Sequence, residues 1–418
     1  MKKEELEELL AQLKEEYNSY KAKKLSLDMS RGKPGREQLD ITQGMLTALE
    51  KPEDCISENG LDIRNYGVLD GIPEAKRIFA DILETSPDNL IIGGNSSLNL
   101  MYDEITRMML FGNCDSEKPW CRYDKIKFLC PVPGYDRHFS ICESIGIEMI
   151  NIPINADGPD MDMIEKYVSE DDTIKGIWCI PKYSNPDGVV YSDEVIRRFA
   201  RLMPKAKDFR IMWDNAYIIH SLYGDAAKQL NLLEEAEKCG NANIVLEFMS
   251  TSKVSFPGSG VAVMAASKEN IAHTKKYLTY QTIGYDKINM MRHVTFFKNA
   301  EGMKNHMKLH ADIIRPKFEI VNDALTPLGD LGIASWTKPQ GGYFICVKLM
   351  NGCATRVYNL ALECGVKMTK AGAPFPYHKD PDDAYLRIAP TYPSNEDLTL
   401  ASEILVLCIK IAAIEKLL

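Results

Sequence analysis

The sequence predicts an α/β protein built around a mostly parallel β-sheet, with a second, smaller α+β domain. The chain has 418 residues, which exceeds the size of one ordinary hydrophobic core. From about residue 75, short apolar segments alternate with helix-length segments, as expected for strands buried on both faces. This alternation ends after about residue 325. We therefore expect a large domain over 51–310 and a small domain combining 1–50 with 311–418.

The predicted elements follow in chain order. Apolar residues at helical spacing predict an amphipathic opening helix: Leu6, Leu9, Leu10, Leu13, Tyr17 and Tyr20. Strands are predicted at 126–131, 147–154, 174–181, 210–216, 243–249 and 261–267. A long helical stretch near 287–325 precedes two further strands, in WTKPQGGYFICVKL and AYLRIAPTY. Ser394 and Asp397 predict a capping box for a last helix over 395–417.

The composition excludes several classes of protein. Apolar residues make up 45% of the chain and charged residues 26%, which is typical of globular proteins. A net charge of -9 argues against a nucleic-acid surface, which needs a positive field. No apolar run reaches the ~18 residues of a membrane helix, and MKKEELEELL has no signal-peptide core, so we expect a cytoplasmic protein. Eleven cysteines without a C-x-x-C pair predict reduced thiols and no metal site.

Four residues are of particular chemical interest. Lys253 follows the apolar strand NIVLEFM, and it is either an exposed loop residue or a desolvated amine that forms a Schiff base with an aldehyde cofactor. Asp214 ends the strand RIMW and is a structural acid, a metal ligand or the anion that keeps a pyridine nitrogen protonated. Tyr217, three residues on, could donate a hydrogen bond to a ring phenolate. Arg387 is an exposed strand arginine or a bidentate fork for a substrate carboxylate.

Three turns carry residues that could bind the rest of a ligand. GGNSS precedes a helical pattern, so Asn95, Ser96 and Ser97 either cap a helix or offer N–H groups and hydroxyls to a phosphate. Tyr135 follows a strand in PVPGY and is either a surface aromatic or a residue that stacks on a ring. Asn185 lies in Asn-Pro-Asp-Gly, for which a structural turn is the default interpretation.

The order of these motifs resembles that of the fold-type-I aminotransferases of classes I and II. The succession is GGNSS, PGY, SNPDG, DNAY, STSK, PQGGY and LRIAP, and it extends from about residue 28 to 392. Its most specific parts are Asn-Pro-x-Gly, Asp-x-x-Tyr, Ser-x-Ser-Lys and the late arginine. The resemblance implies a transaminase that uses pyridoxal 5′-phosphate (PLP), a large domain with a sheet of the seven-stranded type, and a homodimer.

The resemblance also implies roles for residues around the cofactor ring. Lys253 would carry the Schiff base and move the proton between the substrate α-carbon and the cofactor. Asp214 would pair with the pyridine nitrogen, whereas Asn185 and Tyr217 would contact the phenolate oxygen. Tyr135 would stack on the ring.

Further roles concern the cofactor phosphate and the substrate. The resemblance implies a phosphate site made of Asn95, Ser96, Ser97 and Ser250. Tyr66, in YGVLDG, would reach the phosphate of the neighbouring subunit. Arg387 would bind the substrate α-carboxylate, with help from Asn185 and the backbone of Gly32.

The sequence departs from the family pattern after the lysine. Most relatives carry a phosphate-binding arginine seven or eight residues further on, whereas this chain has Gly260 and Val261 there. With LDMSRGKP, YGVLDG and QTIGYDKINMMRH, this feature resembles a divergent bacterial branch of aspartate aminotransferases, subgroup Ic. That resemblance implies aspartate and 2-oxoglutarate as substrates. A dicarboxylate needs a second cation, for which we rank Arg31 before Lys33 and Arg292.

Alternative functions remain open at this point. The chain could transfer the amino group of another amino acid or act as a PLP-dependent lyase, because one PLP scaffold supports many reactions. A PLP-binding regulatory domain is disfavoured, since the chain is acidic and has no room for a helix-turn-helix module before its first helix.

Overall fold

The computed structural model describes residues 2–224 and 228–418, within which all the elements below lie. The helices are α1 (Lys3–Ala22), α2 (Arg36–Asp40), α3 (Pro73–Leu83), α4 (Ser97–Phe111), α5 (Asp136–Ile145), α6 (Met161–Glu170), α7 (Asp193–Ala200), α8 (Leu232–Lys238), α9 (Lys268–Leu278), α10 (Lys287–Phe297), α11 (Ala300–Asp330), α12 (Ala354–Glu363) and α13 (Asn395–Leu417). The strands are β1 (Leu27–Asp28), β2 (Leu90–Ile92), β3 (Lys127–Val132), β4 (Glu148–Asn155), β5 (Gly158–Pro159), β6 (Ile174–Cys179), β7 (Arg210–Asp214), β8 (Val245–Ser250), β9 (Ala262–Ala266), β10 (Ala334–Trp336), β11 (Ile345–Leu349), β12 (Val366–Lys367) and β13 (Tyr385–Ile388).

The largest sheet has eight strands in the order β2-β9-β8-β7-β6-β3-β4-β5. The strands from β8 to β4 run parallel to one another, whereas β9 is antiparallel to both of its neighbours. The eighth strand, β5, has two residues and forms an edge hairpin with β4. The mostly parallel sheet is therefore confirmed, and β5 is an addition to the seven-stranded type that the resemblance implied.

Both faces of this sheet are buried, which explains its continuous apolar strands. Successive residues of one strand point to opposite faces, because side chains alternate along a strand. Phe128, Trp178, Met212 and Leu246 pack into one core with α4 and α5. Their chain neighbours Leu129, Ile177, Ile211 and Val245 pack into another core with α6, α7 and α8. Parallel sheets covered on both faces carry their ligands beyond the carboxyl ends of the strands.

The predicted helical stretch near 287–325 forms two helices rather than one. The chain forms α10 and then α11, which are separated at Lys298 and Asn299. Lys298 has a φ of 68°, which ends the first helix. The Asn299 side chain then accepts the Gly302 N–H at 2.8 Å and starts the second. A polar N-cap of this kind is a local signal that helical periodicity does not reveal.

The remaining strands form two smaller sheets, β10-β11-β13 and β1-β12. They share a hydrophobic core with α1, α11, α12 and α13. The predicted opening helix packs here, where the buried Tyr17 hydroxyl donates to the Leu360 carbonyl at 3.1 Å. Ser394 accepts the Asp397 N–H at 3.1 Å, which is one half of the predicted capping box. On this basis we propose the division into a large domain over 51–310 and a small domain of 1–50 with 311–418.

Neither a membrane span nor a metal cluster is found within the described residues. None of the helices within 2–224 and 228–418 combines the length and the apolar character that a membrane span requires. In the same ranges, no three His, Cys, Asp or Glu side chains are grouped as they would be around a metal ion. The eleven cysteines are all free thiols, and seven of them are buried: Cys130, Cys142, Cys179, Cys346, Cys353, Cys364 and Cys408.

Candidate active site

A cavity of about 530 Å³ lies where the parallel strands end. It is bordered by the last residues of β7 and β8, and by the loops that follow β3 and β6. Its walls include most of the residues that the sequence predicted: Arg31, Gly32, Ser96, Ser97, Tyr135, Asn185, Asp214, Tyr217, Ser250, Lys253 and Arg387. The carboxyl ends of parallel strands meet at one edge of the sheet, which is why residues far apart in sequence come together here.

Lys253 forms part of the cavity wall, three residues after the end of β8. Burial lowers the pKa of its amine, and nearby Arg387 lowers it further, while Asp214 acts in the opposite direction. The amine lies 5.2 Å from the ring centre of Tyr217 and 5.9 Å from that of Tyr343. Burial therefore shifts Lys253 towards the uncharged amine, which is the nucleophilic form.

The turn that carries Lys253 is held by His293, which the sequence analysis missed. His293 Nδ1 lies 2.8 Å from the Asn289 carbonyl and must donate to it, so the Nε2 atom is an acceptor. Nε2 faces the hydroxyls of Thr251 at 3.0 Å and Ser255 at 2.8 Å, which flank the lysine on both sides. Burial lowers the pKa of His293 to about 4, which keeps the ring neutral and fixes this arrangement.

Asp214 is a buried carboxylate with only one of its two oxygens engaged. Its Oδ2 atom lies 3.0 Å from His138 Nε2. The His138 ring stacks on Trp178, with ring centres 4.3 Å apart and planes 8° from parallel. Within the described residues, Asp214 Oδ1 is buried and has no hydrogen-bond partner. A buried carboxylate oxygen without a partner is costly, so this geometry fits a ligand that carries an N–H donor.

His138 is a second residue that sequence reasoning missed. It lies on the first turn of α5, three residues after Tyr135, so both side chains lie on the same side of that turn. Their rings meet edge to face, with centres 5.0 Å apart. The histidine three positions after the aromatic in PGYDRH was the signal that could have identified it.

Arg387 points from β13 into the cavity, and its side chain is only 7% exposed. One terminal nitrogen, Nη1, donates to Asp136 at 2.8 Å and to Asn185 at 3.3 Å. The other edge, made of Nε and Nη2, faces the Thr369 hydroxyl at 3.3 and 3.2 Å. The predicted neighbour Asn185 is therefore present, whereas Asp136 and Thr369 were not predicted.

Gly32 lies directly against the ring of Phe344. A Cβ atom at this position would lie 2.4 Å from the ring, so any larger residue would displace either the ring or the backbone. The Phe344 ring centre is in turn 4.9 Å from the Arg387 guanidinium. The glycine therefore lets the backbone pack directly against Phe344, which in turn lies beside Arg387.

The small residues of the predicted phosphate site surround the start of α4. Ser96 is the N-cap of this helix and Ser97 is its first residue, so free backbone N–H groups face the cavity end. The Ser250 hydroxyl donates to Ser252 at 3.1 Å, and the Ser252 hydroxyl donates to the Asn95 carbonyl at 3.3 Å. Neutral hydroxyls and a helix N-terminus together suit a phosphate group.

The structure gives a physical reason for the missing arginine. A Cβ atom at Gly260 would lie 2.5 Å from the Asn95 carbonyl oxygen, so a side chain cannot be placed there without moving the loop. Val261 is buried, and its N–H donates to the Thr251 hydroxyl at 2.9 Å. Gly260 therefore packs against the Asn95 loop, and Val261 joins the segment after Lys253 to Thr251.

Some predicted residues lie outside the walls of the cavity. Asn95 does not line it, although its backbone carbonyl accepts a hydrogen bond from Ser252, which does. Tyr66 is 79% exposed, and its contact with a neighbouring subunit stays a prediction. Arg31 and Lys33 line the cavity, whereas Arg292 does not. Two further cationic residues that the sequence analysis did not consider line it as well: Arg137 and Lys367.

Comparisons with known proteins identify the family of this chain. The whole chain, residues 1–418, matches the family model described as aspartate amino-transferase. An aspartate aminotransferase of Corynebacterium glutamicum is 41% identical over 404 residues, which cover 96% of this chain and 93% of that protein. The crystal structure of an aspartate transaminase from the same species has a TM-score of 0.97 at 40% identity, covering 100% of this chain and 98% of that one.

A more distant solved structure shares the fold. The α-aminoadipate aminotransferase LysN of Thermus thermophilus, which was crystallised with N-(5'-phosphopyridoxyl)-L-leucine, has a TM-score of 0.75 at 19% identity. The alignment covers 94% of each chain. The chain belongs to the aspartate aminotransferase family, and it is a transaminase with the fold-type-I architecture that the order of its motifs predicted.

Proposed function

We propose that this chain uses PLP, held by Lys253, to move an amino group between aspartate and 2-oxoglutarate. The observation that carries the cofactor assignment is that the Lys253 amine and the unpartnered Oδ1 atom of Asp214 belong to residues that line one cavity. The Lys253 amine suits a covalent link to an aldehyde, and the Asp214 carboxylate suits a protonated pyridine nitrogen. The names of the aspartate aminotransferase and aspartate transaminase of C. glutamicum support the choice of substrates.

The residues present fit the proposed cofactor. Asp214 would bind the pyridine nitrogen through Oδ1, with His138 fixing the orientation of its carboxylate. Tyr217 and Asn185 would contact the phenolate oxygen, and Tyr135 would stack on the ring. The phosphate would lie among the residues at the start of α4 and the end of β8: Asn95, Ser96, Ser97 and Ser250.

Bound PLP would supply an electron sink for the negative charge that develops at the substrate α-carbon. The protein would contribute positioning and proton transfer. Lys253 has a lowered pKa, so its amine can take the α-proton as a base and return a proton as an acid. The hydrogen bonds that His293 accepts from Thr251 and Ser255 would hold the lysine at a constant place during both transfers.

The substrate would be held by positive groups at two places. Arg387 would bind the α-carboxylate, assisted by Asn185 and the Gly32 backbone. The second carboxylate of aspartate or 2-oxoglutarate needs a separate cation, and we keep Arg31 as the first candidate because it adjoins Gly32 and lines the cavity. Arg137 and Lys367 are further candidates on the same wall. Lys33 ranks lower, since its amine already lies 3.7 Å from the ring centre of Tyr392.

We further propose a cytoplasmic homodimer. The high exposure of Tyr66 supports the dimer, since a tyrosine that is 79% exposed is available to a neighbouring subunit. The free thiols support the location, because disulfides are rare in a reducing compartment.

The test is a half-reaction with the PLP-loaded protein. Addition of aspartate without an acceptor should yield one oxaloacetate per active site, and 2-oxoglutarate should then restore the starting spectrum. Formation of an elimination product, or of 2-oxo acid beyond one equivalent, would indicate a lyase or another reaction.

Substrate choice is tested by a pair of arginine variants. Arg31→Ala should lower kcat/KM for aspartate and glutamate while leaving alanine unchanged. Arg36→Ala is the matched control, because the Arg36 side chain is 91% exposed and does not line the cavity. If the preference among the three donors is the same in both variants, Arg31 does not bind the second carboxylate.

A further inference from the structure

The arginine proposed to bind the substrate carboxylate already has a carboxylate partner. Asp136 accepts a hydrogen bond from Arg387 Nη1 at 2.8 Å, which is a charge-assisted bond. Asp136 itself lines the same cavity as Lys253 and Asp214. The ion pair is therefore inside the site, where an incoming substrate must meet it.

The hydrogen bonds of Arg387 show what an incoming carboxylate must replace. A guanidinium has five N–H groups, and a carboxylate binds bidentately along one of its edges. Asp136 and Asn185 share Nη1, while Nε and Nη2 face the neutral Thr369 hydroxyl. Thr369 is itself tied to the Ser30 carbonyl by a 2.6 Å hydrogen bond, so it is fixed in place. A substrate carboxylate that binds along the Nη1–Nη2 edge of the guanidinium must therefore displace one of the two partners of Nη1, either Asp136 or Asn185.

Asp136 is the partner that can leave at the lower cost. Its side chain is 25% exposed, whereas Asn185 is buried. It is also the first residue of α5, where the positive end of the helix dipole stabilises a carboxylate even without Arg387. The pair connects α5, beside the large sheet, with β13 of the three-stranded sheet. An anion that replaces Asp136 would bind Arg387 in its place, at the point where α5 and β13 are now joined.

We propose that Asp136 is the resident counter-ion of Arg387 and is displaced by the α-carboxylate of the substrate. This inference rests on the proposed role of Arg387. Asp136 keeps the arginine oriented and neutralised in the empty site, and it competes with every carboxylate ligand. A ligand without a carboxylate cannot replace it, so the pair also favours carboxylic acids over amines. The competition lowers the affinity for substrate and product alike, which helps the oxo acid to leave.

The test measures the binding of succinate, a dicarboxylate without an amino group, to the PLP-loaded enzyme. Asp136→Asn keeps the shape of the side chain but removes the competing charge. We expect the dissociation constant of succinate to fall at least tenfold, the KM values of aspartate and 2-oxoglutarate to fall with it, and kcat not to rise. Asp136→Ala should change the constants in the same direction. Asp162→Asn is the matched control, because Asp162 is 88% exposed and pairs with Arg198 outside the cavity. It should change nothing.

A double-mutant cycle separates this inference from the proposed function. Arg387→Gln should weaken succinate binding, and in that background Asp136→Asn should give no gain. If Arg387→Gln leaves succinate binding unchanged, the proposed role of Arg387 is wrong. If Arg387→Gln weakens binding but both Asp136 variants bind succinate equally well or less well than the wild type, Asp136 only supports the arginine and the counter-ion proposal is overturned.

Discussion

Replacing Gly260 by alanine should destabilise the loop that takes the place of the family arginine. The backbone at Gly260 has φ -78° and ψ 173°, which alanine adopts without strain. The cost comes from contact alone, since the new Cβ would lie 2.5 Å from the Asn95 carbonyl oxygen. Ordinary carbon–oxygen contacts begin near ~3.3 Å, so the two loops must separate by about 0.8 Å.

The expected loss follows from this overlap. Overpacking of a well-packed site costs about 1–3 kcal/mol, and we expect Gly260→Ala to lower the free energy of unfolding by that amount. The displaced loop contains Asn95 and adjoins Ser96, so the variant should also bind PLP at least tenfold more weakly. Urea unfolding with an unchanged m-value measures the first effect, and equilibrium titration with PLP measures the second.

Gly258→Ala is the matched control for this experiment. A Cβ atom at Gly258 meets nothing within 4 Å, and the residue lies two positions away in the same segment. We expect it to be neutral, within about 0.5 kcal/mol, and to bind PLP normally. Equal stability and equal PLP affinity of the two variants would refute the argument that close packing excludes a side chain at position 260.

Three further predictions concern buried histidines and an acid. His138→Gln should lower kcat about 10- to 100-fold in steady-state assays, because a hydrogen bond to the buried Asp214 carboxylate contributes about 1.5–3 kcal/mol; unchanged kcat would contradict this. His293→Phe removes the acceptor that the Thr251 and Ser255 hydroxyls share, and it should cost about 1–3 kcal/mol of unfolding free energy in urea; an unchanged urea midpoint would contradict this role of His293. Burial raises the pKa of Glu247 from 4.5 to about 7, so its contribution to stability is present below pH 4.5 and is lost as the pH rises through 7. Between pH 5 and pH 8, the free energy of unfolding of the Glu247→Gln variant should therefore rise by up to about 3 kcal/mol relative to that of the wild type. Urea unfolding at both pH values measures this difference. If both proteins show the same dependence on pH, Glu247 is not buried as an acid.

The sequence allowed the large sheet and most of the cavity wall to be predicted. Strands that are buried on both faces appear in the sequence as continuous apolar runs. All six strands predicted for this sheet are present in the structure. Because their carboxyl ends meet at one edge, Asp214 and the Ser250–Lys253 segment could be placed in one site from their positions after strands. The order of the motifs then supplied the family.

The other contacts of the site depend on the directions of individual side chains, which the periodicity of apolar residues in the sequence does not specify. Asp136 and His138 lie on one helical turn, and only the path of α5 shows that one faces Arg387 and the other faces Asp214. Thr369 reaches Arg387 from a loop without a recognisable motif. Gly260 could be identified as a departure from the family, but the reason for it is a contact with Asn95, which is distant in sequence.

The most direct test of this account is the identity of the lysine that carries PLP. The loaded protein would be reduced with borohydride to make the link permanent, digested and analysed by mass spectrometry. We predict that the cofactor mass is found on the peptide containing Lys253, and that Lys253→Ala shows neither this peptide nor the visible absorption band. Attachment at another lysine, such as the buried Lys182, or no attachment at all, would contradict the account.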